Sequence, residues 1–298
     1  MIKNFAELKE RLKNMPVKRR VAVAPAQDLH TLQAVMQAAR DEMVEPVLIG
    51  SEAEIRKILQ EIGAADAPVE IIEEKDPVQA VQKAADLARA GQVDCLMKGR
   101  IETGPFMKVL VNKEHGIRKN ETMSLVAFME SPYYHKVFGI TDVALLMYPD
   151  KAQKIAALKN AAAAFHALGI EQPKAAIITA IEKVNPKMPE TVEAAEIKAE
   201  GVPGCIIEGP ISYDLAMDAE AARIKGYQSP VAGEADILLM KDIVCGNVAA
   251  KTITVLGGGQ TGGVVLGALV PILLVSRAAS AADKYMSIVM AALVGRCV

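Results

Sequence analysis

A hydroxyl, a guanidinium and a carboxylate follow the most apolar run of the chain. That run covers residues 264–275 and leads into Ser276 and Arg277, and Ser280 and Asp283 come next at spacings that open a helix. A helix N-terminus attracts anions through its dipole and its free backbone N–H groups, and the planar fork of an arginine suits phosphate. The same spacing is also that of a helix cap made by Ser280 and Asp283 alone. The segment therefore predicts either an anion site or a capped helix.

A second polar group follows a strand pattern earlier in the chain. The apolar run 93–97 is followed by Lys98, and Thr103 lies in the stretch that leads into the next helical pattern. Ligands of open α/β sheets bind at the carboxyl ends of the strands. We therefore expect Lys98 and Thr103 near a ligand, although Lys98 could equally pair with an acid at the sheet edge.

Two polar turns in the second half of the chain fit turn chemistry better than ligand binding. Gly246 gives backbone freedom, and Asn247 is suited to cap a helix that starts after it. Ser212 or Asp214 could likewise cap the helix that follows a strand pattern. Spacing alone favours a structural role for both turns and leaves ligand binding as the minority interpretation.

Several catalytic and metal-binding signatures do not occur in the sequence. The glycine-rich turn 257–263 lies between a helical pattern and a strand pattern, which is the reverse of a phosphate loop or a dinucleotide fingerprint. The four histidines lack zinc-protease spacing, and no G-x-S-x-G nucleophile elbow is present. The cysteines lie far apart, without a C-x-x-C pair, as reduced thiols of a cytosolic protein do: Cys95, Cys205, Cys245 and Cys297. We expect no metal site.

Short β-rich runs alternate with amphipathic helical stretches in the first third of the chain. The runs 20–24, 46–49, 69–72 and 93–97 are apolar enough for buried strands. The stretches between them supply the crossovers that parallel strands need. This rhythm predicts a doubly wound α/β sheet.

The middle of the chain begins with a change in this rhythm. Strand patterns at 124–129, 137–140 and 143–147 lack long helices between them, which indicates a domain junction. The alternation of helix and strand then resumes and predicts a second α/β unit, with a single helix over 214–225. Near the C-terminus the apolar run 264–275 predicts one buried strand.

The composition is typical of a globular protein and excludes several partners. With 298 residues, 51% hydrophobic and 23% charged, the chain can bury the core of one large or two moderate domains. It has no Trp, 4% aromatic residues and a net charge of −2, so it lacks the stacking platforms and basic surface of a nucleic-acid binder. The start does not match a secretory signal, and no apolar run reaches the roughly 20 residues of a membrane helix. We expect a cytoplasmic protein that binds neither nucleic acid nor a membrane.

Taken in order, these segments resemble the phosphate acetyl/butyryltransferase family over most of the chain. The resemblance is carried by Glu208-Gly-Pro-Ile-Ser-Tyr-Asp214, Val231-Ala-Gly-Glu-Ala-Asp-Ile-Leu-Leu, Gly246-Asn247 with Lys251, and Val270-Pro-Ile-Leu-Leu-Val-Ser276-Arg277 followed by Lys284 and Ser287-Ile288. Met97-Lys98-Gly99 and the ending S-R-x-x-S-x-x-x-K-x-x-S-I resemble the butyryltransferase members most. Acetyltransferase members typically have a Ser-Gly pair near the first motif and a Gly where this chain has Ala278.

The resemblance implies a fold like that of isocitrate and isopropylmalate dehydrogenases, in which two three-layer α/β domains flank a cleft. The first domain would comprise residues 1–137 and 268–298, because the C-terminal segment returns to it. The second domain would comprise residues 138–267. The resemblance also implies dimerisation through the second domain, so that the protein would be a homodimer or a higher homo-oligomer.

The resemblance further implies reversible acyl transfer, in which acyl-CoA and inorganic phosphate give acyl phosphate and CoA through a ternary complex. Coenzyme A is then a substrate, and neither a tightly bound cofactor nor a metal is required. Arg277 would hold the phosphate, Ser276 would stabilise the tetrahedral oxyanion, and Asp283 would act as the base towards the thiol. Residues implied to bind phosphate or CoA are Lys98, Thr103, Asn247 and Lys284.

One departure from the family pattern leaves two roles open for Asp283. Butyryltransferase-like members often carry an acid two residues after the arginine, where this chain has Ala279, and a neutral residue in place of Asp283. Asp283 is then either the base, as in acetyl-specific relatives, or only a helix cap. The alternatives to a butyryltransferase are a phosphate acetyltransferase and a non-catalytic CoA-binding protein of the same fold.

Overall fold

The computed structural model describes residues 1–119, 122–276 and 279–295. The helices within these ranges are α1 Phe5–Lys13, α2 Leu29–Arg40, α3 Glu52–Glu61, α4 Pro77–Arg89, α5 Thr103–Leu110, α6 Lys151–Ala167, α7 Pro189–Glu200, α8 Tyr213–Met217, α9 Ala219–Ile224, α10 Ile243–Val255 and α11 Ala281–Val294. The strands are β1 Arg19–Ala24, β2 Val44–Gly50, β3 Glu70–Glu73, β4 Cys95–Lys98, β5 Ser124–Glu130, β6 Phe138–Thr141, β7 Lys174–Ile178, β8 Ile206–Ile211, β9 Ile237–Leu239, β10 Gln260–Leu266 and β11 Ile272–Leu273. The protein thus has a mixed α/β fold.

The chain divides into two compact units. The N-terminal unit comprises Phe5–Glu121 and Gly262–Val298, and the middle unit comprises Met1–Asn4 and Thr122–Thr261. The sequence predicted that the chain passes between the two domains near residues 138 and 267. The compact units instead divide before Thr122 and after Thr261. β5 lies with the middle unit because it pairs antiparallel with β6.

The N-terminal unit contains the parallel strands that the sequence rhythm predicts. Five parallel strands lie in the order β3-β2-β1-β4-β11, and β10 pairs antiparallel with β11. β1 and β2 are largely buried, whereas β3 at the edge is partly exposed. Asp28 and Asp76 begin α2 and α4, because their carboxylates accept N–H bonds from the first turn of each helix. The predicted βαβ arrangement is confirmed for this unit.

The middle unit has its own strand order, β5-β6-β9-β7-β8, in which β6, β9, β7 and β8 are parallel. The Ala-rich helix α6 begins with a capping box of Asp150 and Gln153. Its Phe165 packs on Phe128 of β5, with the ring centroids 5.5 Å apart. Small side chains on α6 let the helix approach the sheet closely, and the aromatic pair fills the space between them.

Two strand predictions are wrong, each for a local reason. Residues 143–147 form no strand, because the Asp142 carboxylate binds the N–H groups of Ala144 and Leu145 and turns the chain. The run 264–275 forms β10 and β11 instead of one strand. Gly267 between them has φ +86°, and Pro271 has no N–H to donate to a ladder.

Two helix predictions also need correction. The predicted helix over 214–225 is two short helices, because the extended backbone of Asp218 ends α8 and its carboxylate caps α9 at the N–H of Glu220. α10 begins at Ile243 and is capped by Asp242, which accepts the N–H of Cys245 at 3.0 Å. Asn247 therefore lies inside α10 and is not its N-cap.

Asp142 is a buried carboxylate that organises the turn after β6. Its oxygens accept the N–H groups of Leu125, Ala144 and Leu145, each at 2.7 Å. Burial raises the pKa of Asp142, and the N–H bonds act in the opposite direction. The carboxylate thus joins the start of β5 to the segment that follows β6.

We expect Asp142→Ala to lower the free energy of unfolding by about 3 kcal/mol or more, because three N–H groups lose their acceptor. Urea unfolding of the full chain measures the change. Asp242→Ala is the control: it removes a cap acceptor at a less buried position and should cost about 1 kcal/mol. Equal losses in the two variants would contradict the organising role of Asp142.

Candidate active site

The carboxyl edge of the sheet in the N-terminal unit brings together the loops that follow β1, β4 and β11. The chain passes from β1 to β2 on one side and later enters β4 on the other side of β1. The order of strands therefore reverses between β1 and β4, and ligands of open α/β sheets bind in the crevice at such a point. The loops on either side of it are residues 25–28 and 98–103.

Backbone contacts hold these two loops together. Gly99 N donates to Ala24 O at 3.1 Å, and Arg100 N donates to Pro25 O at 2.9 Å. A Cβ at Gly99 would lie 1.8 Å from Pro25 O, so the position tolerates no side chain. The Lys-Gly pair after β4 thus lets one loop lie directly against the other.

Lys98 and Thr103 lie at the two ends of the loop after β4. The Lys98 ammonium is partly buried and donates to Ile101 O at 3.0 Å, with Gly99 O at 3.4 Å. Thr103 is the first residue of α5, and its side chain is exposed. The loop therefore offers a positive charge and an accessible hydroxyl at the edge where the sequence predicted them.

The segment after β11 leads into a capped helix. Ser276 is exposed, and its carbonyl accepts the N–H of Ala279 at 3.1 Å. The Ser280 hydroxyl accepts the N–H of Asp283 at 3.0 Å and donates to Asp283 Oδ2 at 2.7 Å. Ser280 and Asp283 thus form the capping box that the spacing allows. Arg277 lies outside the described residues.

The buried side of α11 carries a second lysine. Lys284 is only 5% exposed. Burial raises the pKa of Asp28, but the hydrogen bonds from Thr31 and the positive charges of Lys284 and His30 outweigh it, so that this pKa lies below its ordinary value. The positive charge of Lys284 is thus one of the influences on the carboxylate that follows β1. Asp28, four residues after the end of β1, was missed by the sequence analysis.

Tyr285 anchors the same turn of α11 to the far end of α2. Its hydroxyl donates to Asp41 Oδ2 at 2.7 Å. Burial and this acidic neighbour raise the pKa of Tyr285, so that its hydroxyl remains a donor at neutral pH. The helix that carries Asp283 is thereby fixed in rotation against α2.

Asn247 belongs to the middle unit, whereas the other described candidates belong to the N-terminal unit. Its Nδ2 donates to Val143 O at 3.1 Å. Next to it, a Cβ at Gly246 would lie 2.1 Å from Asp142 O, so α10 rests directly on the backbone after β6. In the structure, Gly246 and Asn247 join these two segments.

Ser212 and Asp214 are also tied into local structure. Ser212 occupies the N-cap position of α8, and its hydroxyl donates to Asp214 Oδ1 at 2.6 Å. The Lys225 ammonium and this hydroxyl lower the pKa of Asp214 to about 2. These contacts fit the predicted structural role of this turn at the start of α8.

Within residues 1–119, 122–276 and 279–295, no group of three or more His, Cys, Asp and Glu side chains is arranged to hold a metal ion. In the same part of the chain, no helix combines the length and apolar character needed to cross a bilayer.

The carboxyl edge of the N-terminal unit has the chemistry for an anionic substrate that exchanges a proton. Lys98 and Lys284 supply positive charge, while Thr103 and Ser276 supply exposed hydroxyls. Asp283 supplies a carboxylate in the first turn of α11. Positive charges and hydroxyls of this kind are the groups that bind an anion.

Comparisons with known proteins give one consistent result. The model of the family described as "Phosphate acetyl/butaryl transferase" matches residues 72–292. The phosphate butyryltransferase of Clostridium acetobutylicum is 40% identical over 298 residues, which cover 99% of this chain and 99% of that protein. The phosphate acetyltransferase of Thermotoga maritima is 39% identical over 278 residues, which cover 92% of this chain and 94% of that protein.

A solved structure extends the similarity to three dimensions. The crystal structure of a branched-chain phosphotransacylase from Enterococcus faecalis V583 matches with a TM-score of 0.83 and 31% identity, over 93% of this chain and 98% of that chain. The family model matches most of the chain, and the relatives match nearly all of it at this level of identity. The resemblance seen in the sequence motifs is therefore confirmed: the chain belongs to the phosphate acetyl/butyryltransferase family.

Proposed function

We propose that the protein is an acyltransferase that moves a short-chain acyl group reversibly between CoA and inorganic phosphate. The reaction is butanoyl-CoA + phosphate = butanoyl phosphate + CoA. The observation that carries the proposal is the full-length similarity to a phosphate butyryltransferase. Acyl-CoA, inorganic phosphate and acyl phosphate are then the small-molecule partners, and CoA is a substrate, with no cofactor held tightly.

In the direction that forms acyl-CoA, the thiolate of CoA attacks the acyl carbonyl of acyl phosphate. A C–S bond forms, the C–O bond to the phosphate breaks, and inorganic phosphate leaves with the electron pair. A free thiol titrates near pH 8.5, so a base raises the reactive fraction at neutral pH. Asp283, in the first turn of α11, takes the thiol proton in this proposal.

The remaining residues bind substrate and stabilise charge. Arg277 holds the phosphate through paired hydrogen bonds, and Ser276 stabilises the oxyanion of the tetrahedral intermediate. Lys98 and Thr103 add charge and a hydroxyl for phosphate or CoA, which their place around the carboxyl end of β4 supports, and Lys284 adds charge from α11. Asn247 contributes from the middle unit. Thioester and phosphate held together in a ternary complex react faster through proximity.

The proposal includes the arrangement of the two domains around the substrate. Two three-layer α/β domains flank the substrate cleft, as in isocitrate and isopropylmalate dehydrogenases. Parallel strands and helices in each unit support it. The protein would act in the cytoplasm, which its widely spaced cysteines without a C-x-x-C pair support.

A homodimer formed through the middle unit completes the proposal. Within α10 only Gly246 is buried, while Val244, Val248 and Val255 are 57%, 58% and 75% exposed. They recur at helical spacing on one exposed face of α10, which also carries Lys251, and the exposed Leu256 follows directly after the helix. Such a face on a helix is suited to pack against a second copy.

Two other functions remain as alternatives. A phosphate acetyltransferase is favoured by the similarity to the enzyme of Thermotoga maritima and by Asp283 at the position of the base in acetyl-specific relatives. A non-catalytic CoA-binding protein of the same fold would be expected to replace Ser276, Arg277 and Asp283, all of which are present in this sequence.

The first prediction concerns the acyl group. Purified protein without added divalent metal is expected to release CoA from butyryl- or isobutyryl-CoA in a phosphate-dependent reaction, faster than from acetyl-CoA, as followed with a thiol reagent. A preference for acetyl-CoA would favour the acetyltransferase. No release from acetyl-, propionyl-, butyryl- or isobutyryl-CoA, combined with CoA binding, would favour the non-catalytic alternative.

The second prediction concerns phosphate. Arg277→Ala is expected to raise KM for phosphate and to lower kcat/KM for phosphate by at least about tenfold, because a charged hydrogen-bond partner is worth roughly 1.5–3 kcal/mol. Steady-state kinetics with phosphate varied at saturating acyl-CoA measure the change. An unchanged rate and KM would show that Arg277 does not bind phosphate.

The third prediction separates the two roles of Asp283. Asp283→Asn keeps an oxygen that can accept the Ser280 N–H bond, so the thermal midpoint should change little, while kcat for acyl-CoA formation should fall about 100-fold or more. Gln153→Ala opens the capping box of α6 and serves as the control, with about 1 kcal/mol lost in stability and kcat unchanged. If Asp283→Asn keeps full activity, Asp283 is only a cap.

A further inference from the structure

A buried serine lies one helical turn after Asp283. Ser287 is 2% exposed. Its hydroxyl donates to Asp283 O at 2.8 Å and accepts the N–H of Gly263 at 3.0 Å. One oxygen thus links β10 to the first turn of α11.

The two hydrogen bonds of Ser287 differ in the segments that they join. Serine in a helix commonly donates to the carbonyl four residues earlier, so the bond to Asp283 O is ordinary. The bond from Gly263 comes from a different element, 24 residues away in sequence. This second bond holds α11 against β10 of the sheet.

A second contact acts at the same place. A Cβ at Gly262 would lie 2.9 Å from Met286 O and 3.0 Å from Met286 C. At Gly262 the backbone of β10 therefore lies close to the backbone of α11, beside the Met290 side chain. A larger residue at position 262 would push the helix away from the strand.

The structure assigns Ser287 a positioning role in acyl transfer: with Gly262, it holds the first turn of α11 where the Asp283 carboxylate meets the thiol of CoA. This inference rests on the proposed function. Proton transfer needs the carboxylate within about 2.6–3.2 Å of the thiol, and a displacement of about 1 Å costs up to about 100-fold in rate. Ser287 itself touches no substrate in this scheme.

A double-mutant cycle with Asp283→Asn tests the inference, since two residues that act through one group have effects that do not multiply. Ser287→Ala is expected to lower kcat for acyl-CoA formation about 10- to 100-fold, with KM for CoA and acyl phosphate changed less than about twofold. In the Asp283→Asn background, the same change should lower kcat less than about twofold. Gly262→Ala should reproduce the effect of Ser287→Ala and serves in its place if that variant folds poorly.

Ser124→Ala is the matched control. Ser124 is fully buried on β5 in the middle unit, and its hydroxyl accepts a hydrogen bond from Asn160 at 2.9 Å. The variant loses a buried hydroxyl as Ser287→Ala does, and kcat should be unchanged.

Two outcomes would overturn the inference while leaving Asp283 as the base: an equal fall in kcat in both backgrounds, or a fall of the same size in Ser124→Ala. If Asp283→Asn alone keeps the rate of the unmodified protein, the assignment of the base fails, and the positioning role fails with it.

Discussion

The parallel pairing of β11 with β4 is the contact on which the rest of the candidate site depends. Ile272 lies opposite Leu96 and Leu273 opposite Met97. β11 is only two residues long and forms few backbone hydrogen bonds. The burial of its two apolar side chains therefore contributes most to holding it in place. Because both strands run in the same direction, Lys98 and Ser276 leave the same edge of the sheet.

Close backbone contacts then set the spacing around that edge. The loop after β4 lies against the loop after β1 at Gly99, and β10 lies against α11 at Gly262. Contacts of this kind leave no room for adjustment, since a folded interior is packed as densely as a crystal. Charge is a second constraint at this edge. Lys284 is buried on α11, and its positive charge is one of the influences that lower the pKa of Asp28 after β1.

The sequence predicted the strands of the N-terminal unit well, because each is a short apolar run between amphipathic helices. Its errors occur where one polar side chain or a special backbone position decides the path. Asp142 turns the chain at 143–147, Asp218 divides a helix in two, and Gly267 interrupts the run 264–275. Periodicity carries no information about such contacts, because a residue's hydrogen-bond partner depends on the folded path. Asp28 was missed for the same reason, since its neighbour Lys284 lies on the last helix.

The sequence by itself determined the family, the parallel strands of the N-terminal unit and the residue types available for acyl transfer, because motifs and local periodicity are properties of neighbouring residues. Only the tertiary structure decided that Lys98 and Ser276 share one edge and that Ser287 links α11 to β10. It also showed that Ser280 and Asp283 form the capping box that their spacing allows. The physical reason is that these contacts join segments far apart in the chain, and they form only when burial of apolar surface offsets the entropy of bringing such segments together.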